Sequence, residues 1–400
     1  LSATRTLPWL AIIGLGEDGI DALAAEPRRR ISEAALVAGG ARHLALAQPL
    51  IRGEALAWPS PLPGAFPALL ARRPQPVAVL ASGDPFWFGI GATLARLVPP
   101  EEIAAFPAPS AFSLACARLG WAVQDVATLS CCGRPVEAVL PLLQPGARVL
   151  ALSADASTPG LIAALLRRHC FGDTRLRVLE ALGGPRERIC DGVADDIDPL
   201  NLVALEVGAL GRVLPLAAGL PEGLFDHDGQ ITKQEIRAVT LAALAPRRGE
   251  LLWDIGSGSG SVGIEWMLRH PANHAVAIER RADRATSGAA NAAALGVPGL
   301  RVVTGVAPAA LEGLPPPDAV FVGGGARDPA VTDAAWAALK PGGRLVAHAV
   351  TVETEAALIA LHQRLGGRLT RLAVERLAPI GRMHGFRPAM TVTQFAADKP

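Results

Sequence analysis

The stretch "LLWDIGSGSGSVGIEW" around residue 254 holds the densest set of residues able to do chemistry. An apolar run ends in Asp254, Gly256, Gly258 and Gly260 then alternate with Ser257 and Ser259, and a helix bearing Val262, Ile264 and Trp266 begins. Glycines at this spacing let backbone approach a ligand and adopt positive φ. Their amides, with the helix N-terminus, suit a carboxylate. Asp254 only accepts hydrogen bonds, which fits an ammonium or an ordered water. The next run, "AVAIE", ends in Glu279, where a carboxylate can accept both ribose hydroxyls. "VVTGVAPAAL" then offers residues 305–307, ending in Ala307, to an adenine edge, and "PDAVFVGGG" ends in three glycines. Four such signals at successive strand ends match the edge at which open α/β sheets bind ligands.

A second glycine pattern opens the chain. "WLAIIGLGEDGI" fits the dinucleotide pattern G-x-G-x-x-G at Gly14, Gly16 and Gly19. The rival reading is therefore an NAD(P)-dependent oxidoreductase with two dinucleotide-binding modules. Four features weigh against it. The second strand ends in "ALVAGG", with no acid to hold a ribose, and Glu17 and Asp18 would crowd a pyrophosphate with like charge. Around residue 258 the register beginning directly after the strand has Ser261 where the third glycine belongs. No tyrosine exists to serve a short-chain dehydrogenase. Two further turns in this half carry signal. "ASGDPFWFGIGATL" presents Asp84 on a tight turn made by Gly83 and Pro85, with Gly89 and Gly91 following, and "PAPSAF" supplies the small pair Ser110-Ala111.

The elements that must position these residues alternate short β-like runs with Ala/Leu/Arg-rich helical stretches, the pattern of parallel α/β sheets. Strands are expected at 9–13, 35–38, 77–81, 148–153, 175–181 and 202–207, and again at 251–255, 275–279, 300–303, 318–322, 344–348, 369–377 and 390–395. The Gly/Pro-rich segment 208–223 breaks the pattern, giving domains 1–210 and 211–400. A chain of 400 residues has ample length for two such cores. With 38 Lys and Arg against 37 Asp and Glu, nothing points to nucleic acid or an anionic membrane. Cys116, Cys131, Cys132, Cys170 and Cys190 lack metal-ligand spacing, so no metal is expected and the thiols read as reduced cytoplasmic cysteines, the vicinal pair being packing. Residues 7–13 are too short an apolar run for a leader, and no span of eighteen apolar residues exists to cross a membrane.

The loop D-x-G-x-G-x-G at 254–260 resembles that of class I, Rossmann-like S-adenosylmethionine-dependent methyltransferases. With its lead-in "GLPEGLFDHDGQITKQEIRAVTLAAL", it resembles the cobalamin-pathway precorrin methyltransferases that also decarboxylate. The resemblance runs from about residue 219 through "GGRLVAHAVTVET". It implies a cofactor set of Thr232, Asp254, Gly256, Ser257, Gly258, Ser259, Gly260, Glu279 and Ala307. The first half resembles the tetrapyrrole methylases, a different fold of two αβα subdomains, in its opening loop, in "SGDPFWFGIG" and in "PAPSAFSLACARLG". There the implied cofactor residues are Gly14, Gly83, Asp84, Gly89, Ser110 and Ala111. Glu17-Asp18 stands where most of that superfamily has Pro-Gly, a departure from the pattern that carries cofactor contact there, while the loop still suits the border of the substrate cleft.

Together the resemblances imply two S-adenosylmethionine sites and one tetrapyrrole, precorrin-6B, methylated at carbon 5 by the first domain and at carbon 15 by the second. The second would also remove the carboxyl of the carbon-12 acetate, giving precorrin-8. A cytoplasmic homo-oligomer is expected. His227, Lys233 and His348 are candidate proton carriers, and Arg237, Arg327 and Arg382 candidate forks for substrate carboxylates. Locally, Thr232 and Glu235 read as a capping box.

Overall fold

The run Leu10–Leu15 is buried along its whole length, as a strand covered on both faces must be. The computed structural model describes residues 8–400, so Leu7, where the short apolar run begins, lies outside it. The first sheet comprises β1 (Leu10–Leu15), β2 (Leu36–Gly39), β3 (Glu54–Ala57), β4 (Val77–Ser82) and β5 (Ile103–Phe106). Its order is β3-β2-β4-β1-β5 and every pair is parallel.

The second sheet corrects the expectation of parallel strands throughout. It holds β6 (Val126–Ser130), β7 (Arg148–Leu152), β8 (Arg175–Glu180), β9 (Arg188–Asp191) and β10 (Asn201–Glu206), in order β6-β7-β10-β8-β9. Only β6 and β7 are parallel; β10 runs against β7 and β8, and β9 against β8. Links without a helix, such as those between β8, β9 and β10, are too short for the crossover a parallel pair needs.

The third sheet has β11 (Leu251–Ile255), β12 (His274–Glu279), β13 (Arg301–Thr304), β14 (Ala319–Val322), β15 (Arg344–Ala349) and β16 (Arg368–Leu372). A separate hairpin, β17 (Glu375–Ile380) with β18 (Met383–Pro388), precedes β19 (Val392–Asp398), which returns to the sheet. The order is β13-β12-β11-β14-β15-β19-β16, with β19 antiparallel to both neighbours. Strand order reverses between β11 and β14, which opens the crevice where such sheets hold ligands. Beneath it Trp253, Ile255, Val320, Val322, Leu345 and Phe395 form a closed core. The stretch 369–377, read as one strand, divides between β16 and the hairpin.

The chain forms two compact units: residues up to Val136 with Pro145–Arg212, and Glu137–Gln144 with Val213–Pro400. Among the described residues, no helix is long and apolar enough to cross a membrane.

Candidate active site

In the second unit the loop after β11 turns on three left-handed glycines, Gly256, Gly258 and Gly260, at φ 71°, 55° and 75°. Any Cβ at Gly256 would stand 2.7 Å from the Gly324 amide nitrogen, so the loop packs backbone to backbone on the end of β14. Glu279 is 4% exposed; its Oε2 accepts from the Gly258 N–H and its Oε1 from the Arg281 N–H, each at 2.9 Å. A carboxylate retains lone pairs beyond these two, so it can still receive hydroxyls from a ligand.

These loops enclose a cavity of about 910 Å³. Thr232, Lys233, Gly256, Ser257, Gly258, Ser259, Glu279, Ala307 and His348 all line it, with Phe321 and residues 305–306 and 323–325. Glycine amides, one carboxylate and an apolar edge make a set suited to an amino-acid carboxylate, a ribose and a purine.

Other expected residues lie elsewhere. Asp254 is 1% exposed and sits under the loop, its Oδ2 accepting from the Gly263 N–H at 2.9 Å; it holds the turn and does not face the cavity. Gly260 closes the loop as the left-handed cap of the helix Ser261–Leu268, also off the cavity wall. His227 accepts from the Gly229 N–H through Nδ1 and is outside the lining. Arg237 is fully buried: its guanidinium bonds Glu265 and the carbonyls of Thr232 and Leu220 and lies 4.8 Å over the Phe225 ring. Such a side chain cannot also grip a substrate carboxylate. Arg327 and Arg382 are exposed and do not line the cavity. The capping box does not form, because Lys233 is the N-cap of Gln234–Leu244 and Glu235 instead binds Arg376.

The cations that do line the cavity are Lys233, Arg280, Arg284, Arg376 and Arg387. Lys233 and Arg376 pair with Glu222, Arg376 also with Glu235, and Arg284 with Asp228. Arg280 and Arg387 make no ion pair among the described residues. Nothing local in the sequence distinguishes these arginines, since Arg376 and Arg387 reach the cavity only through the fold of the hairpin.

A buried carboxyl and a half-buried imidazole of this unit titrate abnormally and in opposition. Burial pushes the Asp254 carboxyl up to about 7, against the Gly263 hydrogen bond and reinforced by the Glu279 charge. Burial pushes the His348 imidazole down to about 4, against its hydrogen bond to Gln394. Below pH 6.5 the unfolded chain binds the His348 proton first, so stability is lost as pH falls towards 4. Asp254 takes up its proton earlier in the folded state, so stability is gained over the same interval. Asp254→Asn removes that counterweight. Calorimetry between pH 6.5 and 4.5 should then show the second unit losing roughly 1.4 kcal/mol more per pH unit than wild type.

In the first unit the three segments singled out by sequence meet. Gly14, Gly83 and residues 108–110 pack so closely that a Cβ on Gly14 would lie 1.9 Å from the Gly83 oxygen and 2.6 Å from the Ala108 nitrogen. Gly83 adopts φ 54°. Asp84 accepts from the Phe86 N–H at 2.8 Å, and Gly89 folds against the Pro85 carbonyl. Ser110 is 6% exposed and caps the helix Ala111–Leu119 by accepting from the Ser113 N–H at 3.1 Å. Glu17 of the opening loop binds Arg42 and Arg186, which leaves it no part in a pyrophosphate site.

Comparison with known proteins supplies family relationships. Residues 10–198 match a model of the Tetrapyrrole (Corrin/Porphyrin) Methylases, and residues 223–399 match one of the Precorrin methyltransferase domain. A Sinorhizobium sp protein named precorrin-6Y C(5,15)-methyltransferase (decarboxylating) is 55% identical over 399 residues, covering 98% of this chain and 97% of its own. The like-named protein of Mycobacterium tuberculosis strain CDC 1551 is 41% identical, covering 98% and 100%. A Salmonella typhimurium protein named cobalt-precorrin-6B C(15)-methyltransferase (decarboxylating) is 33% identical over 173 residues, 42% of this chain and 89% of its own. The oxidoreductase alternative finds no support in these relatives.

Proposed function

Since this chain belongs to the family of decarboxylating precorrin-6Y C(5,15)-methyltransferases, we propose that it transfers two methyl groups from S-adenosylmethionine to precorrin-6B. The first unit would act at carbon 5. The second would act at carbon 15 and release carbon dioxide from the carbon-12 acetate, giving precorrin-8 on the way to cobalamin. One observation carries the reading: four consecutive strand-end segments of the second unit, including Gly258, Glu279 and Ala307, line one cavity. The first unit assembles its own cluster from Gly14, Gly83 and Ser110.

The residues present fit the cofactor. Gly258 leaves open space where a side chain would intrude, its nearest neighbour to a Cβ being the Gln230 oxygen at 3.7 Å, and Glu279 stands beside it. Glu279 would take the ribose hydroxyls, the amides of residues 256–258 the carboxylate, and residues 305–307 the purine edge. When bound, S-adenosylmethionine supplies an already activated methyl group. The protein's share is then placement and exclusion of water. Arg280 and Arg387, on the cavity wall and without an ion-pair partner among the described residues, offer forks for peripheral carboxylates of the tetrapyrrole.

Mass spectrometry of precorrin-6B incubated with the chain and S-adenosylmethionine should register two methyl groups gained and one carbon dioxide lost. Calorimetry with S-adenosylhomocysteine should count two sites per chain; no binding would overturn the proposal. Gly14→Ala should lower methylation at carbon 5 at least about tenfold, because each 1.4 kcal/mol of misplacement is a factor of ten, and leave carbon 15 methylation intact. The reading also carries cytoplasmic localisation and self-association, the latter checked by light scattering on the full chain.

A further inference from the structure

His348 stands apart from the segments proposed to hold the cofactor. Those end β11, β12 and β13, whereas His348 lies near the end of β15, on the far side of β14. The cavity spans both sides of the strand-order reversal, with Glu279 and Ala307 on one and Phe321 and His348 on the other. His348 is therefore on the side left for the second reactant.

Its protonation pattern follows from its neighbours. Nε2 lies 3.1 Å from Gln394 Oε1 and 3.2 Å from Thr240 Oγ1. Gln394 is the residue directly opposite on β19. Thr240 already donates its hydroxyl hydrogen to the Ile236 carbonyl at 2.7 Å, so towards His348 its oxygen can only accept. The amide oxygen likewise only accepts. Nε2 must then carry the hydrogen, and Nδ1 keeps its lone pair. Nδ1 has no hydrogen-bond partner among the described residues and is not one of the unpartnered polar atoms sealed from solvent. Phe321 fixes the ring plane edge-on, 4.9 Å between centroids at 83°. Burial keeps the imidazole neutral in the physiological range.

We propose that Nδ1 of His348 is the proton acceptor of the second methyl transfer, with Gln394 and Thr240 as positioning residues that fix its tautomer. This rests on the functional reading above. A ring methine carbon that uses its π pair to bond the incoming methyl carbon, while the sulfur–carbon pair leaves with sulfur, becomes four-bonded and still carries hydrogen. Its C–H bond then breaks, the pair returns to the macrocycle, and the proton passes to Nδ1. The imidazolium so formed keeps its Nε2–H bonds to Gln394 and Thr240. No oxidant or reductant is needed.

The tautomer is tested by long-range nitrogen–proton correlation NMR on the full chain labelled with nitrogen-15 histidine. Nε2 of His348 should carry the proton and Nδ1 should not; Gln394→Met should populate the other tautomer. An Nδ1–H tautomer in wild type overturns the proposal. In the second arm, His348→Gln should bind S-adenosylhomocysteine within about twofold of wild type and lose carbon 15 methylation by about 100-fold or more, the low end for general acid–base catalysis. Deuterium on the methine carbon should then slow the variant more than wild type. Carbon 15 methylation within threefold of wild type, or a loss matched by lost cofactor affinity, overturns the proposal alone. A wild-type chain that transfers no methyl group overturns the functional reading and the proposal with it.

Discussion

Glu279→Ala is expected to abolish methylation at carbon 15 while methylation at carbon 5 continues. The carboxylate receives the N–H groups of Gly258 and Arg281 and faces the cavity. Removing it strips the loop of its anchor, leaves those N–H groups without an acceptor, and deletes the acceptor for ligand hydroxyls. Hydrogen bonds to a charged group contribute about 1.5–3 kcal/mol each. Losing two should weaken cofactor binding in the second unit at least 100-fold, about 2.7 kcal/mol. Titration with S-adenosylhomocysteine should then count one site per chain where wild type counts two. Asp254→Ala should give the same outcome indirectly, because the buried Gly263 N–H loses its acceptor and the glycine turn loses its support. Equal loss of both methylations in either variant would contradict independent sites.

Arg237→Ala should be the most destabilising single change in the second unit, by about 3–5 kcal/mol, the usual cost of leaving a buried charge uncompensated. Glu265, also fully buried, receives Arg237 together with the N–H groups of Gly219 at 2.7 Å and Leu220 at 2.8 Å. Arg237 in turn bonds the carbonyls of Leu220 and Thr232. The pair therefore ties residues 219–220 and Thr232 of the lead-in segment to the two helices behind it, and residues 229–233 of that segment line the cavity. Replacing both partners by apolar residues should not restore stability, since the Gly219 N–H and the buried Leu220 N–H would be left without acceptors. Denaturant unfolding of the single and double variants measures this directly. A loss below 1 kcal/mol for Arg237→Ala would remove the argument.

The strand-end motifs were readable because each is local. A glycine turn or an acid at the end of an apolar run needs only its neighbours to declare it, and Gly256, Gly258, Glu279 and Ala307 do line one cavity. The buried central strands were equally plain, being near-continuous apolar runs. Four of the five strands without a sequence signal, β3, β5, β6 and β9, are the outer strands of the two sheets in the first unit. An edge strand is covered less and needs no long apolar run, as the mostly exposed β3 illustrates. The fifth, β18, belongs to an exposed hairpin.

Long-range partnership was beyond local pattern. Arg237 read as a substrate fork and is a buried strut, because its partner Glu265 comes from another helix. Asp254 read as a ligand contact and lies beneath the loop it supports. Arg376 and Arg387 gave no signal, since only the hairpin's path brings them to the cavity. By itself the sequence determined which segments turn tightly, which runs are buried, and which acid ends which strand. Those properties depend on side-chain type and spacing of a few residues. Only the tertiary structure decided which charges neutralise one another and which face the cavity, because charge pairing across 28 residues in Arg237–Glu265, or 154 in Arg376–Glu222, depends on where the chain returns.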